Sequence, residues 1–442
     1  MKEKIQSFLA KPIWRDYRTL AGLWMLLAVI AALMKMHSHN NFLIFRGVFW
    51  HAWQQVSLFV PYPAEYWDTN HYGPLFSLVI APFAVVPEWV GLILWCIALA
   101  LFLYVAIRRS LLTDRQQLFV LWFCAHELLT ALYMQQFNIA ITAIILLVFF
   151  LIEKERDASA AFFIVLGTLV KLYGVVGLAF FFFSKHKTRF VLSLIGWSII
   201  LIAAPMIISS PDYIFGQYAE WMDSLTGKND ENMFAMHQNI SLLGMIRKIS
   251  GCATYSDLWI ILPGLLLFAL PYLRFSQYKL MAFRQTLLAS VMMFVVLFST
   301  GSESSGYVIA LTGVVIWYTA VPWKRSTTDI VLMVFAFILT SLSPSDLFPA
   351  VIRKELVQPY ALKALPVAII WLKLCYEMAT KDYASERSTE TPGAKHRNAI
   401  SESQERYQRK PRTLPVKARN ATSESQERYW QSLLSYFLSG KE

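Results

Sequence analysis

Residues 153–189 read EKERDASAAFFIVLGTLVKLYGVVGLAFFFFSKHKTR, an apolar run closed at both ends by charge. Glu153-Lys154-Glu155-Arg156-Asp157 precedes it and Lys185-His186-Lys187-Thr188-Arg189 follows it. Short basic loops stay on the cytoplasmic face of a membrane. With both clusters on that face, the run from Ala158 to Phe183 must enter the bilayer and turn back. The turn then holds Lys171-Leu172-Tyr173-Gly174, with Lys171 at membrane depth. An ionisable group there is costly and by default marks a functional site, and its natural partner is a phosphate. The competing reading is one tilted span whose Lys171 snorkels to the outer interface.

The rest of the chain agrees with a membrane setting. Of 442 residues 56% are hydrophobic and 16% charged, and the mean hydropathy is +0.46. That is more apolar surface than a soluble core absorbs. Repeated runs of bilayer length predict an all-α membrane protein, a polytopic bundle of about 10–12 membrane helices, some broken or short, with large extracytoplasmic loops. The net charge of +11 comes from Lys and Arg in short loops, so it does not point to nucleic acid. Cys96, Cys124 and Cys375 lie in apolar runs and Cys252 in a loop, without paired spacing. Neither a disulfide framework nor a metal site is supported, and no cofactor is expected.

Residues 1–18 carry Lys2, Lys4, Lys11, Arg15 and Arg18 without a small-residue cleavage site, and read as a retained cytoplasmic N-terminus. Residues 19–380 form the polytopic domain. Thr19 to Met36 is its first span, and the first outer loop, 37–73, is aromatic-rich and half polar, suited to short helices at the membrane surface. Pro74 to Ile107 is interrupted at Val86-Pro87-Glu88, giving a short helix and then a full one. Leu118 to Tyr133 crosses outward, Ile139 to Ile152 returns, and Phe190 to Ile208 leads to a second outer loop, 209–241. The runs Leu258–Leu273, Thr286–Phe298, Val308–Val321, Ile330–Thr340 and Ala361–Met378 then alternate in direction. Residues 381–442 turn polar and charged, repeat SESQERY at 401–407 and 423–429, and read as a disordered tail; Trp430 to Leu438 suits a small interfacial helix. The expected setting is multi-pass in the cell (inner) membrane, with both termini cytoplasmic and the active site outside.

Glu65 and Asp68 lie three apart, so on a helix they share a face. Each is a candidate general base, or else a solvated loop acid. Gln136 and Asn138 suit sugar hydroxyls, or they cap the helix that begins at Ile139. His237, Gln238, Asn239 and Ser241 suit a carbohydrate or phosphate, or supply an N-cap at Asn239 or Ser241. Glu303, among serines at an outer turn, is a ligand contact or a loop tip. No GxGxxG, GKS/GKT, HExxH or GxSxG motif occurs, so nucleotide-binding, zinc-protease and serine-hydrolase readings lack their support.

Five landmarks follow one another in order between Leu20 and Tyr318. They are Tyr72-Gly73-Pro74-Leu75 with LVIAPFAVVP behind it, Gln136-x-Asn138, Lys171 with Tyr173, Asn239-x-Ser241-Leu242, and Ser299 through Tyr307 leading into a span. As a set they resemble the polyprenol-phosphate-mannose-dependent alpha-mannosyltransferase family of the glycosyltransferase C superfamily. The resemblance implies an integral-membrane enzyme that takes a hexose, mannose in this family, from a polyprenyl-phosphate carrier at the outer face. The sugar passes to a lipid-linked or envelope glycan acceptor, with membrane lipid as the surroundings. It implies Lys171, Tyr72 and Tyr173 at the donor phosphate and lipid, and Gln136, Asn138, His237, Asn239 and Glu303 at the sugar or acceptor.

In enzymes of that kind an acid early in the first outer loop deprotonates the acceptor hydroxyl, which displaces polyprenyl phosphate with inversion. Here the corresponding place reads Asn40-Asn41-Phe42, and an amide is no general base. Either the base has moved to Asp68 or Glu65, with Asp68 favoured because it lies closer to Tyr72, or transfer is altered or absent. Two other classes compete. A lipid-linked-sugar flippase or transporter concentrates polarity at the midplane, often in repeated halves, whereas here polarity clusters at one face. A surface-polysaccharide polymerase or ligase would show a single dominant outer loop rich in Arg and His.

Overall fold

The computed structural model describes residues 12–384; Lys2, Lys4 and Lys11, the SESQERY repeats and the Trp430–Leu438 segment lie outside the described residues. Among the described residues the secondary structure is helical, with no strand. The chain is an all-α polytopic membrane protein. Tyr17–Lys35 (α1) is followed by Asn40–Gln54 (α2), Phe76–Ala84 (α3) and Glu88–Arg109 (α4). Asp114–Phe123 (α5), Ala125–Tyr133 (α6), Asn138–Glu153 (α7) and Asp157–Val170 (α8) come next, then a 3₁₀ arm, Leu172–Phe183. Lys187–Ala203 (α9), Pro211–Glu231 (α10), Leu242–Ser250 (α11), Leu258–Ala269 (α12), Met281–Leu297 (α13), Tyr307–Ala320 (α14), Thr327–Phe335 (α15) and Leu365–Thr380 (α16) complete it.

Among the described residues three helices are long and apolar enough to cross a membrane: α1, α4, and α9 with its extension to Ile207. The centre of the bundle is α7, α13 and α14, which are apolar and buried on nearly every face, as helices without a polar stripe must be. At the periphery Leu26, Ile30, Leu192, Ile199, Leu262 and Leu266 face outward. In a bilayer these are lipid-facing positions, where apolar side chains lose nothing by exposure.

The run from Ala158 to Phe183 is a hairpin. Its ends meet, since Ser184 donates to Asp157 at 2.7 Å and Lys185 pairs with Glu155 at 2.6 Å. Its arms touch near the apex, where a Cβ on Gly174 would come within 2.3 Å of the Gly167 carbonyl carbon. Only glycine permits that approach. The other basic loops gather at the hairpin's open end. Arg284 pairs with Glu153 at 2.8 Å, Gln285 donates to the Leu111 carbonyl at 2.9 Å and Arg274 to that of Met378 at 2.8 Å. The aromatic loops lie with the apex at the opposite end.

Some elements differ from the expectation. The run from Leu118 to Tyr133 is two helices, broken at Cys124; no proline or glycine marks the break, so apolar periodicity carries across it. A capping box of Thr113 and Gln116 starts the pair about one turn upstream of the first expected residue. In the first outer loop the helical part is one 15-residue helix, α2, with one face against the bundle: Phe42, Phe45 and Val48 are buried and the helix packs on α3, while Trp50 and Trp53 are exposed. Glu65 and Asp68 do not share a helical face, because the backbone there is irregular and Asp68 has a left-handed φ of 76°. Most of 209–241 is α10, opened by Pro211 at its first position.

Candidate active site

At the end holding the hairpin apex, the first outer loop, α10 and the loop after α13 enclose a cavity of about 770 Å³. Lys171 sits in its wall. The α8 backbone breaks there into an extended residue (φ −147°, ψ 119°), and the Gly174 N–H closes the turn on the Lys171 carbonyl at 3.1 Å. The first outer loop docks on this apex through the Gly73 N–H, which donates to the Val170 carbonyl at 3.1 Å. A Cβ on Gly73 would lie 2.1 Å from the Leu169 carbonyl oxygen, so this second contact also requires glycine.

The docking brings Tyr72 and Tyr173 to either side of the lysine. The Lys171 ammonium lies 5.5 Å from the Tyr72 ring centroid and 5.2 Å from that of Tyr173, within cation–π range. It forms no ion pair with the described residues. Tyr72 donates its hydroxyl to Gln136 at 2.5 Å, and the Tyr173 hydroxyl meets Ser299 Oγ at 2.9 Å. Glu303 lines the same cavity. Burial pushes its carboxyl above the usual range, opposed by the charges of Lys171 and Lys228.

Asp68 also faces the cavity. Its Oδ1 accepts the Thr69 N–H at 2.8 Å and lies 3.5 Å from Lys228 Nζ on α10. Its Oδ2 takes no hydrogen bond from the described residues, which leaves one carboxylate oxygen open to a hydroxyl. His71 sits close by, its Nδ1 at 2.8 Å from Ser224 Oγ. Burial, reinforced by Lys228, pushes the His71 pKa down to about 4, so the ring is neutral at physiological pH.

Of the residues singled out in the sequence, Asp68, Tyr72, Gln136, Lys171, Tyr173, His237 and Glu303 line this one cavity. Three do not. Glu65 turns away and pairs with His51 at 3.2 Å, over a His51 ring stacked on Tyr62. Asn138 is buried behind the wall and donates to Ser305 at 3.0 Å. Asn239 accepts from Ser241 Oγ at 2.7 Å, while Ser241 itself caps α11 by accepting the Gly244 N–H at 3.0 Å. The cap there is Ser241. Neither Gln136 nor Asn138 caps α7, whose N-cap residue is Phe137.

Three further lysines reach the cavity. Lys35 lies over the Tyr133 ring at 4.1 Å, Lys228 flanks Asp68, and Lys363 pairs with the buried Glu127 at 2.7 Å while donating to the Ser304 carbonyl at 2.9 Å. Glu127 and Lys363 stand inside or at the edge of apolar runs, the same cue that singles out Lys171. Lys228 has no such signal, because α10 mixes polar and apolar residues and one more charge does not stand out. With Lys363 neutralised by Glu127, the wall sets Lys35, Lys171 and Lys228 against Asp68 and Glu303, a positive balance that favours an anionic ligand.

Fold and site together define a polytopic membrane protein with a lysine-lined cavity at one end of its bundle. The family model of glycosyltransferase family 87 matches residues 70–300, just over half of the chain. The protein belongs to that family and is a membrane glycosyltransferase. The matched segment contains Tyr72, Gln136, Lys171 and His237, and stops short of Asp68 on one side and Glu303 on the other. No curated protein gives a significant match.

Proposed function

We propose that the protein transfers a hexose, mannose first among candidates, from a polyprenyl-phosphate sugar to a lipid-linked or envelope glycan acceptor. The observation that carries this reading is Lys171. It is a cation that makes no ion pair among the described residues, within reach of two tyrosine rings in the wall of a cavity that Asp68 shares. A polyprenyl-phosphate donor presents an anion on an apolar chain at membrane depth, which suits a lysine at the apex of a membrane hairpin. Transfer then runs as an in-line displacement. Asp68 Oδ2 takes the proton of the acceptor hydroxyl, that oxygen bonds to the anomeric carbon, and the bond from that carbon to the phosphate oxygen breaks. The configuration inverts, and the charge gathering on the departing phosphate is stabilised by Lys171 in surroundings of low dielectric.

The basic loops at the open end of the hairpin belong on the cytoplasmic face by their charge. The cavity then opens to the extracytoplasmic side of the cell (inner) membrane. Lys171→Met keeps the stem and removes the cation. Transfer from radiolabelled polyprenyl-phosphate mannose is expected to be abolished while the variant inserts and melts like wild type. Undiminished transfer and donor affinity would overturn the reading.

A further inference from the structure

We infer that Asn40 is the positioning residue for Asp68: its side-chain amide fixes the peptide turn that carries the carboxylate into the cavity. The inference rests on Asp68 being the base. Asn40 is the first residue of α2 and lies in the cavity wall. Its Nδ2 donates to the Trp67 carbonyl at 2.6 Å, and its Oδ1 accepts the Trp67 N–H at 2.9 Å. One side chain therefore satisfies both backbone groups of the residue before Asp68.

That residue makes no other hydrogen bond among the described residues, and Trp67 is 72% exposed. Asp68 needs an anchor. Its φ of 76° is a conformation L-residues seldom adopt, and such backbone persists only where its surroundings over-determine it. The far side of the turn is held in the same manner. The Asn70 Oδ1 accepts the Tyr72 N–H at 3.0 Å and its Nδ2 donates to the Tyr72 carbonyl at 2.9 Å. Two amide clamps thus bracket the segment bearing Asp68.

The chemistry demands an amide at position 40. An ionised carboxylate only accepts hydrogen bonds, so an aspartate there would lose the bond to the Trp67 carbonyl and set a negative charge against its oxygen. The place where the resemblance leads one to expect an acid is occupied by the group that aims a displaced acid.

The test is a double-mutant cycle. Label is followed from polyprenyl-phosphate mannose into the glycans and glycolipids of membranes from the producing cells. Asn40→Ala is expected to lower kcat about 10–100-fold with the KM for the donor within about twofold, a part of the roughly 10²–10⁴-fold that a positioned base supplies. In the Asp68→Asn background the same change is expected to cost less than about twofold, because residues acting through one another are not additive. The isosteric Asn40→Asp is expected to lose at least about tenfold by the same argument, with donor binding unchanged. Wild-type turnover in Asp68→Asn would fail the base assignment, and the inference with it. An inactive Asp68→Asn beside an unaffected Asn40→Ala or Asn40→Asp, or an equal loss from Asn40→Ala in both backgrounds, would overturn the inference alone.

Discussion

At the scale of the residue, the two carboxylates of the first outer loop separate by what they touch. Asp68 keeps one oxygen open to the cavity, whereas Glu65 is taken up by His51 outside it. Asp68→Asn should therefore reduce turnover about 10²–10⁴-fold, the usual worth of a positioned base, with donor binding retained. Glu65→Gln should stay near wild type in the same assay, and the reverse pattern would move the base to Glu65. Neither residue's surroundings could be read from spacing. The i, i+3 rule applies to a helix, and Asp68 sits at a left-handed turn.

His71 gives a prediction in pH. Its folded pKa of about 4 lies below its ordinary 6.5, so between these values the unfolded chain binds more protons than the folded one. By linkage, the stability His71 contributes is complete above pH 6.5 and is lost as the pH falls towards 4. The melting temperature in detergent should drop over that range in the wild type, and less steeply in His71→Gln.

At the scale of the element, the hairpin decides the site, and it was legible because charge closes an apolar run at both ends. Its exact apex was legible too, since Lys171-Leu172-Tyr173-Gly174 is the polar break in that run. What docks on the apex was not, because the contact between Gly73 and the Leu169–Val170 carbonyls is between backbones far apart in the chain. Gly73→Ala should force those backbones apart, at about 1–3 kcal/mol for overpacking, and should lower transfer together with thermal stability. An unaffected variant would mean that the loop does not depend on this contact.

The second element-level device is the Glu127–Lys363 pair, which ties α6 to the loop carrying Glu303. Removing one partner of a buried pair leaves a stranded charge, at about 3–5 kcal/mol, while replacing both by apolar groups is far milder. Lys363→Met should thus melt well below wild type in detergent, and the double variant Glu127→Leu, Lys363→Met should recover most of the loss. Equal melting of the two variants would argue against a charge-paired state.

At the scale of the whole molecule, composition and periodicity were enough for the fold class. A bilayer admits only helices and closed barrels, and apolar runs of bilayer length select the helices. The break at Cys124 and the helix from Pro211 to Glu231 were less legible, the first because it lacks a helix-breaking residue and the second because its residues are mixed in polarity. Orientation can be read from outside the cell. The half-exposed Cys252 thiol lies on the cavity end and should react with a membrane-impermeant maleimide in intact cells. Lys187→Cys in a Cys252→Ser background, at the open end of the hairpin, should not; labelling of that variant from outside would invert the topology.

The most direct measurement is a density map of the protein with polyprenyl-phosphate mannose bound. The donor phosphate should lie within charge-assisted hydrogen-bond distance of Lys171 Nζ, about 2.7–2.9 Å, with the anomeric carbon turned towards Asp68. A phosphate held away from Lys171, at Lys35 or outside the cavity, would contradict the assignment of this site to sugar transfer.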